Sequence, residues 1–289
     1  MTTQSPRLPA DRADQVYVSV KALSPGKLHL PHAWVFQDCV SQPESAGSWV
    51  PTFSFLIEHP SRGRAMFDLG LRKHAKGYPP VDQESIDVTY ATCEHDAADI
   101  LQSGGVDLTE IKTIIYRGRP AARRCLPHEP GSEYQALPLS RNVTYVDFTS
   151  SHANTSPFGP FTHAVDLYAD GSLYLVDAPG HIPGHLAAAA RVGPGAFVFL
   201  AGDCCHARAC YDPGTRLVSE ENHDDVARAR ETVGRLVRLN EEYGGVVVVL
   251  AHEREREAEM PMFPRELNGW AVEAAETKRK VPHSCDGRL

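Results

Sequence analysis

The chain has 289 residues, 42% of them hydrophobic, and a formal net charge of −8 at pH 7. That is enough apolar side chain for one sizeable core, and the acidic balance argues against general binding to nucleic acid or an anionic membrane surface. No apolar run approaches the roughly 18 residues that a membrane-spanning helix needs.

Residues 1–14 are polar and Pro-containing with no apolar h-region, so they are expected as a disordered lead-in rather than a signal peptide or anchor. The seven cysteines, Cys39, Cys93, Cys125, Cys204, Cys205, Cys210 and Cys285, include no CxxC pair. An odd, scattered set suits a reducing, cytoplasmic setting rather than a disulfide framework. Strand-like runs cover 16–22 and 53–58. Between them lies a Pro- and Ser-bearing excursion, 24–50, carrying His32, Trp34 and Phe36. Long excursions often form lids or substrate walls, which makes Trp34 and Phe36 candidates for substrate contact; a plain surface insertion is the equal alternative.

Residues 63–70 form the next strand, with Asp68 near its end. An amphipathic helix is predicted within 85–104, burying Ala91, Ala98 and Leu101 and closed by Gly104 and Gly105. A central strand follows at 112–116, then a loop over 127–140 and a strand over 142–148. Runs 158–168 and 171–176 read as a hairpin turned at Asp170 and Gly171, and 186–192 with 196–200 as a second around Gly193, Pro194 and Gly195. The stretch 224–239 is a long helix with Val226, Ala229, Val233, Leu236 and Val237 on one face and arginines toward solvent. Pro264 opens a last helix striped by Leu267, Trp270, Ala271 and Ala274, and 277–289 is a polar tail. One domain over 15–276, with two packed sheets flanked by helices, fits this order.

Chemistry concentrates in residues 173–186, LYLVDAPGHIPGHL. A strand ends at Asp177, and Pro179, Gly180, Pro183 and Gly184 then make a loop too irregular for a helix, so His181 and His185 are loop residues. Two further apolar runs end alike, 196–201 in Gly202 and Asp203, and 246–251 in His252 and Glu253. Three strands ending in Asp or His imply side chains converging at one sheet edge. His185, Cys205 and His206 join Trp34 and Phe36 as candidate substrate contacts, although adjacent Cys204 and Cys205 read more ordinarily as small buried fillers.

DAPGHIPGH, AGD and LAH, in this order and spacing, resemble the metallo-β-lactamase superfamily, and within it the N-acyl homoserine lactonase-like branch with its fungal relatives. The resemblance spans roughly residues 16–270. It implies an α/β fold, an αββα sandwich of two mixed β-sheets flanked by helices. It also implies His181 as a ligand of a first zinc, Asp203 as a bridging carboxylate, His252 as a ligand of a second zinc, and Asp68 as hydrogen-bonding support.

The family's His-x-His-x-Asp-His motif belongs directly after 112–116, where this chain has RGRPAA. Arg117 and Arg119 take the two first His positions, Ala121 the Asp position and Ala122 the last His position. Guanidinium stays protonated to about pH 12 and only donates, so it cannot ligate a dication. A metal-poor site is therefore expected: no cofactor, or alternatively one weakly bound zinc on His181, Asp203 and His252. Arg117 is expected to pair with Asp203 in place of the lost cation, with Arg119 beside it as an anion clamp.

The expected catalytic set is thus His181, His252, Asp203, Arg117 and Arg119. Its work would be acid/base chemistry on a small lactone, ester, thioester or polyketide-like molecule, either non-hydrolytic or weakly hydrolytic. Two alternatives stand beside it. One is a non-catalytic protein that binds an anionic small molecule. The other is a mononuclear metal-dependent hydrolase drawing ligands from among His128, His152, His163 and His206. A homodimer is left open by the sequence.

Overall fold

Alternation builds the first sheet in this computed structural model, which describes residues 7–73, 86–115, 146, 148 and 154–280. In β4 (Ser54–His59) and β5 (Gly63–Phe67), Phe55, Ile57, Ala65 and Phe67 face one buried side while Leu56 and Met66 face the other. β1 (Ser19–Leu23) pairs antiparallel with β4, and β6 (Ile111–Ile115) runs parallel to β5, giving the order β1-β4-β5-β6.

The second sheet comprises β7 (Thr155–Phe158), β8 (Phe161–Asp166), β9 (Leu173–Asp177), β10 (Leu186–Gly193), β11 (Ala196–Gly202) and β12 (Val246–Leu250). Their order is β12-β11-β10-β9-β8-β7, with only β11–β12 parallel. Residues 187–190 of β10 are four alanines, strong helix formers that become strand because both faces are buried. Ala188, Ala190, Leu175, Val198 and Val247 pack toward Phe55 and Ile57 of the first sheet. Ala187, Ala189, Phe199 and Val248 pack on Ala229, Val233 and Leu236 of the long helix Val226–Glu242, which Asp225 caps. The helix Ala97–Ser103 covers Leu56 and Met66. Helix, sheet, sheet and helix stack in that order, the sandwich expected from the resemblance.

Four expectations change. The excursion over 24–50 is a hairpin, not a simple loop: β2 (Lys27–Pro31) pairs with β3 (Gly47–Pro51) around the short helix His32–Val35, and it buries Leu30, Val35, Phe36 and Val50. The helix within 85–104 is broken in two: residues 86–88 are helical and run into a turn at 89–90, and a second helix starts at Ala97, where Asp96 and Asp99 form a capping box. An isolated antiparallel bridge between Thr92 and Lys27, with backbone hydrogen bonds of 2.8 and 2.9 Å, separates the two pieces, and Ala97 and Leu101 are buried while Ala91 and Ala98 are only half-buried. The last helix runs Asn268–Lys280, later than Pro264 and four residues into the expected tail, and it buries Ala271 and Ala275.

The expected lead-in is held in place over residues 7–14. Arg191 of β10 is fully buried, and its guanidinium meets the Asp11 carboxylate and the carbonyls of Pro9 and Gly171. A buried guanidinium without such partners would be prohibitively costly, so it recruits the segment. The expected loop over 127–140 lies outside the described residues, as does most of the strand over 142–148.

Candidate active site

Three strand ends deliver the site. β11 ends at Gly202, whose φ of 54° turns the chain out of the sheet so that Asp203 stands at its edge. β12 ends alongside: Gly202 is in register with Leu250 and accepts a hydrogen bond from Ala251 N at 3.0 Å. That neighbour relation brings His252 Nε2 to 3.2 Å from Asp203 Oδ1. The loop after β9 brings His181 Nε2 to 3.9 Å from Oδ2, and His206 returns its Nε2 to 3.7 Å from Oδ1. Gly180, at φ 134°, lets the β9 loop lie on the long helix, since a Cβ there would sit 2.2 Å from the Ala229 backbone nitrogen. Asp224 N and Asp225 N bond to the carbonyls of His181 and Gly180, tying the segment before the helix to the same loop. From that segment His223 places its ring 5.4 Å from His181 and 5.5 Å from His206.

Hydrogen bonds set the tautomers. His252 Nδ1 meets the Pro51 carbonyl at 2.8 Å and His181 Nδ1 the Asn222 carbonyl at 2.9 Å. A carbonyl only accepts, so both Nδ1 atoms carry hydrogen and both Nε2 atoms face Asp203. Beneath them His185 Nδ1 donates to Ala178 O at 2.8 Å while its Nε2 accepts from Asp203 N at 3.1 Å. Glu253, fully buried, accepts from Arg208, Tyr211 and Leu250 N and fixes the turn that carries His252.

Burial pushes the Asp203 carboxyl up, but His252, His181 and His206 outweigh it and hold the group well below the usual carboxylate range. Burial pulls His252 down; Asp203, the Pro51 carbonyl and Asp68 reverse this and leave it raised. Burial lowers His206 well below its ordinary value and His223 to about 4, so both rings are neutral at pH 7. Asp68, at φ 62°, folds its carboxylate onto Leu69 N and Gly70 N, and burial followed by the Asp203 charge raises it.

The donors suit a divalent cation. Asp203, His206 and His252 each offer one ligand atom, all within 4.8 Å of one another. Neutral imidazole and ionised carboxylate are zinc-type donors. Asp203 Oδ1 and both His223 nitrogens are buried without a hydrogen-bond partner, and each such orphan costs about 1–3 kcal/mol unless something fills the gap. Asn222 Nδ2 lies 3.2 Å from His206 Nε2 and would yield that lone pair to an ion. A quarter of the Asp203 side chain, 25%, is open to solvent, so a substrate can reach it.

The structure brings together His181, Asp203, His252 and His206. It corrects three expected substrate contacts: His185 has both ring nitrogens engaged and braces Asp203 from below. Cys205 is fully buried in the core, where burial pushes its thiol well up. Phe36 is likewise in the core, under the Arg216 guanidinium at 3.4 Å. Trp34 is half-buried on the helix His32–Val35 and is not among the rings gathered at Asp203, and His163 is exposed on β8. Arg117, Arg119, Ala121 and Ala122, with the expected Arg117–Asp203 pair, and His128 and His152 lie outside the described residues. His223 was not anticipated, because neither spacing nor periodicity marks it.

No family model matches the chain. Solved structures do: a quorum-quenching N-acyl homoserine lactone lactonase superposes with a TM-score of 0.64 at 16% identity, over 87% of this chain and 98% of that one. An N-acyl homoserine lactone hydrolase with N-hexanoyl-L-homoserine at its catalytic metal centre gives 0.64 at 15%, over 87% and 99%. The chain has the metallo-β-lactamase fold. Curated proteins of similar sequence include cytochrome P450 monooxygenase mpaDE of Penicillium roqueforti, 29% identical over 88% of this chain and 35% of that one. The present chain therefore spans about a third of that relative's length. Gamma-lactamase FDB1 of Fusarium pseudograminearum is 26% identical over 76% and 70%, and metallo-hydrolase mfmC of Annulohypoxylon moriforme 25% over 96% and 90%. The solved structures bear out the expected fold, and the sequence relatives include a gamma-lactamase and a metallo-hydrolase. Among the described residues no helix is long and apolar enough to cross a membrane.

Proposed function

We propose that this chain is a hydrolase that opens a small cyclic amide or ester, of lactam or lactone type, at Asp203. The observation that carries this reading is an ionised, partly open carboxylate met by the Nε2 atoms of His252, His206 and His181 at 3.2, 3.7 and 3.9 Å. A gamma-lactamase and a metallo-hydrolase among the sequence relatives support the substrate class. The free cysteines among the described residues accord with a reducing, cytoplasmic setting.

Asp203, His206 and His252 would hold one divalent ion, which supplies a Lewis acid and lowers the pKa of water from about 15.7 toward about 7. The chain's own groups handle the proton. Asp203 Oδ2, on the side away from His252 and His206, takes the proton of the attacking water as its oxygen adds to the carbonyl carbon. His181 Nε2, fixed by its Nδ1 bond to Asn222, relays that proton to the ring nitrogen or oxygen as the ring bond breaks. The products are a carboxylic acid joined to an amine or an alcohol. Arg117 and Arg119 complete the reading as anion clamps for the new carboxylate.

The test is mass spectrometry of a panel of lactams, lactones and thioesters incubated with protein supplied with zinc, manganese or iron. Products heavier by one water are expected. Asp203→Asn and His181→Ala are expected to lower kcat/KM by about 100-fold or more. No hydrated product from any member, or unchanged rates in both variants, sinks the reading.

A further inference from the structure

On the resemblance, four ligand positions of the family's motif fall on Arg117, Arg119, Ala121 and Ala122, and an ion retained here would need donors from elsewhere. His206 is one such donor, lying in the cluster with Asp203 and His252. Among the described residues, His223 is an imidazole beside this cluster that neither the proposed reaction nor, unlike His185, a hydrogen bond of its ring uses. Its residue is 8% exposed, yet neither ring nitrogen has a hydrogen-bond partner. Buried, unsatisfied side-chain nitrogens in a polar cluster mark a place where a water, ion or ligand belongs.

The spacing says which. Two imidazoles bound to one tetrahedral ion at about 2.1 Å stand with ring centres about 5 Å apart. The His206 ring lies 5.6 Å from that of His252 and 5.5 Å from that of His223. No hydrogen bond has to break for either ring nitrogen to turn toward an ion. Its backbone is held as well: His223 N bonds to Glu220 O at 3.4 Å, and Asp224 and Asp225 are tied to the His181 loop.

We propose that His223 is a metal ligand of this site, and that with His206 it replaces imidazoles missing from residues 117–122. The idea rests on the hydrolase reading only in placing an ion at Asp203. In the metallo-β-lactamase fold of this chain, the ligand set has then moved from the residues that follow β6 in sequence to the segments after β11 and before the long helix.

The experiment reads metal binding, not turnover. Full-length protein is stripped with chelator and titrated with zinc against a chromophoric competitor, and with cobalt(II) while its visible absorption is followed. One ion per chain is expected for the wild type. His223→Ala and the shape-keeping His223→Gln are expected to weaken zinc at least about 10-fold and alter the cobalt spectrum, as does His206→Ala, whereas exposed His163→Ala changes neither. Wild-type affinity and spectrum in both folded His223 variants overturn the proposal, and so does a wild type that binds no ion. If the His223 variants keep the ion and the panel is still hydrolysed, only the ligand assignment fails. If they lose the ion while the wild type hydrolyses nothing, the ligand assignment stands and the hydrolase reading fails.

Discussion

Asp203 reaches its place through a contact that involves no catalytic chemistry: its own backbone N–H donates to His185 Nε2 at 3.1 Å, while the other face of that ring donates to Ala178 O. One neutral imidazole therefore couples the end of β11 to the start of the histidine loop. Replacing His185 by Ala strands both backbone groups in the interior. The expected loss is about 2 kcal/mol in urea unfolding, with kcat falling more than KM changes, because the carboxylate loses its aim rather than its charge. An unaltered unfolding midpoint would show the brace to be dispensable. His185 also illustrates why residue type alone misleads: His181 and His185 stand in one motif, but only tertiary position makes the first available and the second saturated.

Between elements, the two sheets are clasped at a point remote from the site. His59, at the end of β4, meets Asp170 in the β8–β9 turn at 2.7 Å, and its Nδ1 accepts from Ser61 N and Arg62 N, so Nε2 carries the donated hydrogen. Burial raises the Asp170 carboxyl, but Ser172 and His59 outweigh it and leave it lowered. A folded value below the unfolded one means the stabilisation is present above about pH 4 and disappears as the pH falls through the depressed value. Asp170→Asn is thus expected to destabilise by about 1 kcal/mol at pH 7, discounted for partial exposure, with the gap from wild type closing as the pH drops from about 5 toward 3. Urea midpoints at several pH values check this; a gap independent of pH would assign the loss to packing instead. The same scale shows what local sequence misjudges. The run 85–104 has helical periodicity throughout, but the bridge between Thr92 and Lys27 interrupts it after residues 86–88, and the helix resumes only at the Asp96 cap.

Across the whole molecule, the described start of the chain is part of the packing. Arg191 lies in β10 with its guanidinium over the Phe197 ring at 4.3 Å, and Asp11 supplies the countercharge. Asp11→Ala leaves a buried cation uncompensated and is expected to cost about 3 kcal/mol or more. The pair Asp11→Ala with Arg191→Met removes the charge as well and is expected to recover most of that stability. A double variant no more stable than Asp11→Ala alone would overturn the ion-pair account.

What the sequence by itself determined is where strands end and what stands there. Apolar runs broken by glycine and closed by Asp203 or His252 are local signals, and parallel neighbours β11 and β12 then place those two residues side by side almost without choice. Alternation in β4 and β5 likewise determined which side chains face the sandwich interior. Tertiary structure alone decided the rest. His206 and His223 become site residues because three segments far apart in sequence meet over one carboxylate, and His185, Cys205 and Phe36 leave the candidate list because burial saturates or encloses them. A side chain's availability depends on what packs against it, and that is a property of the folded neighbourhood rather than of any run of residues.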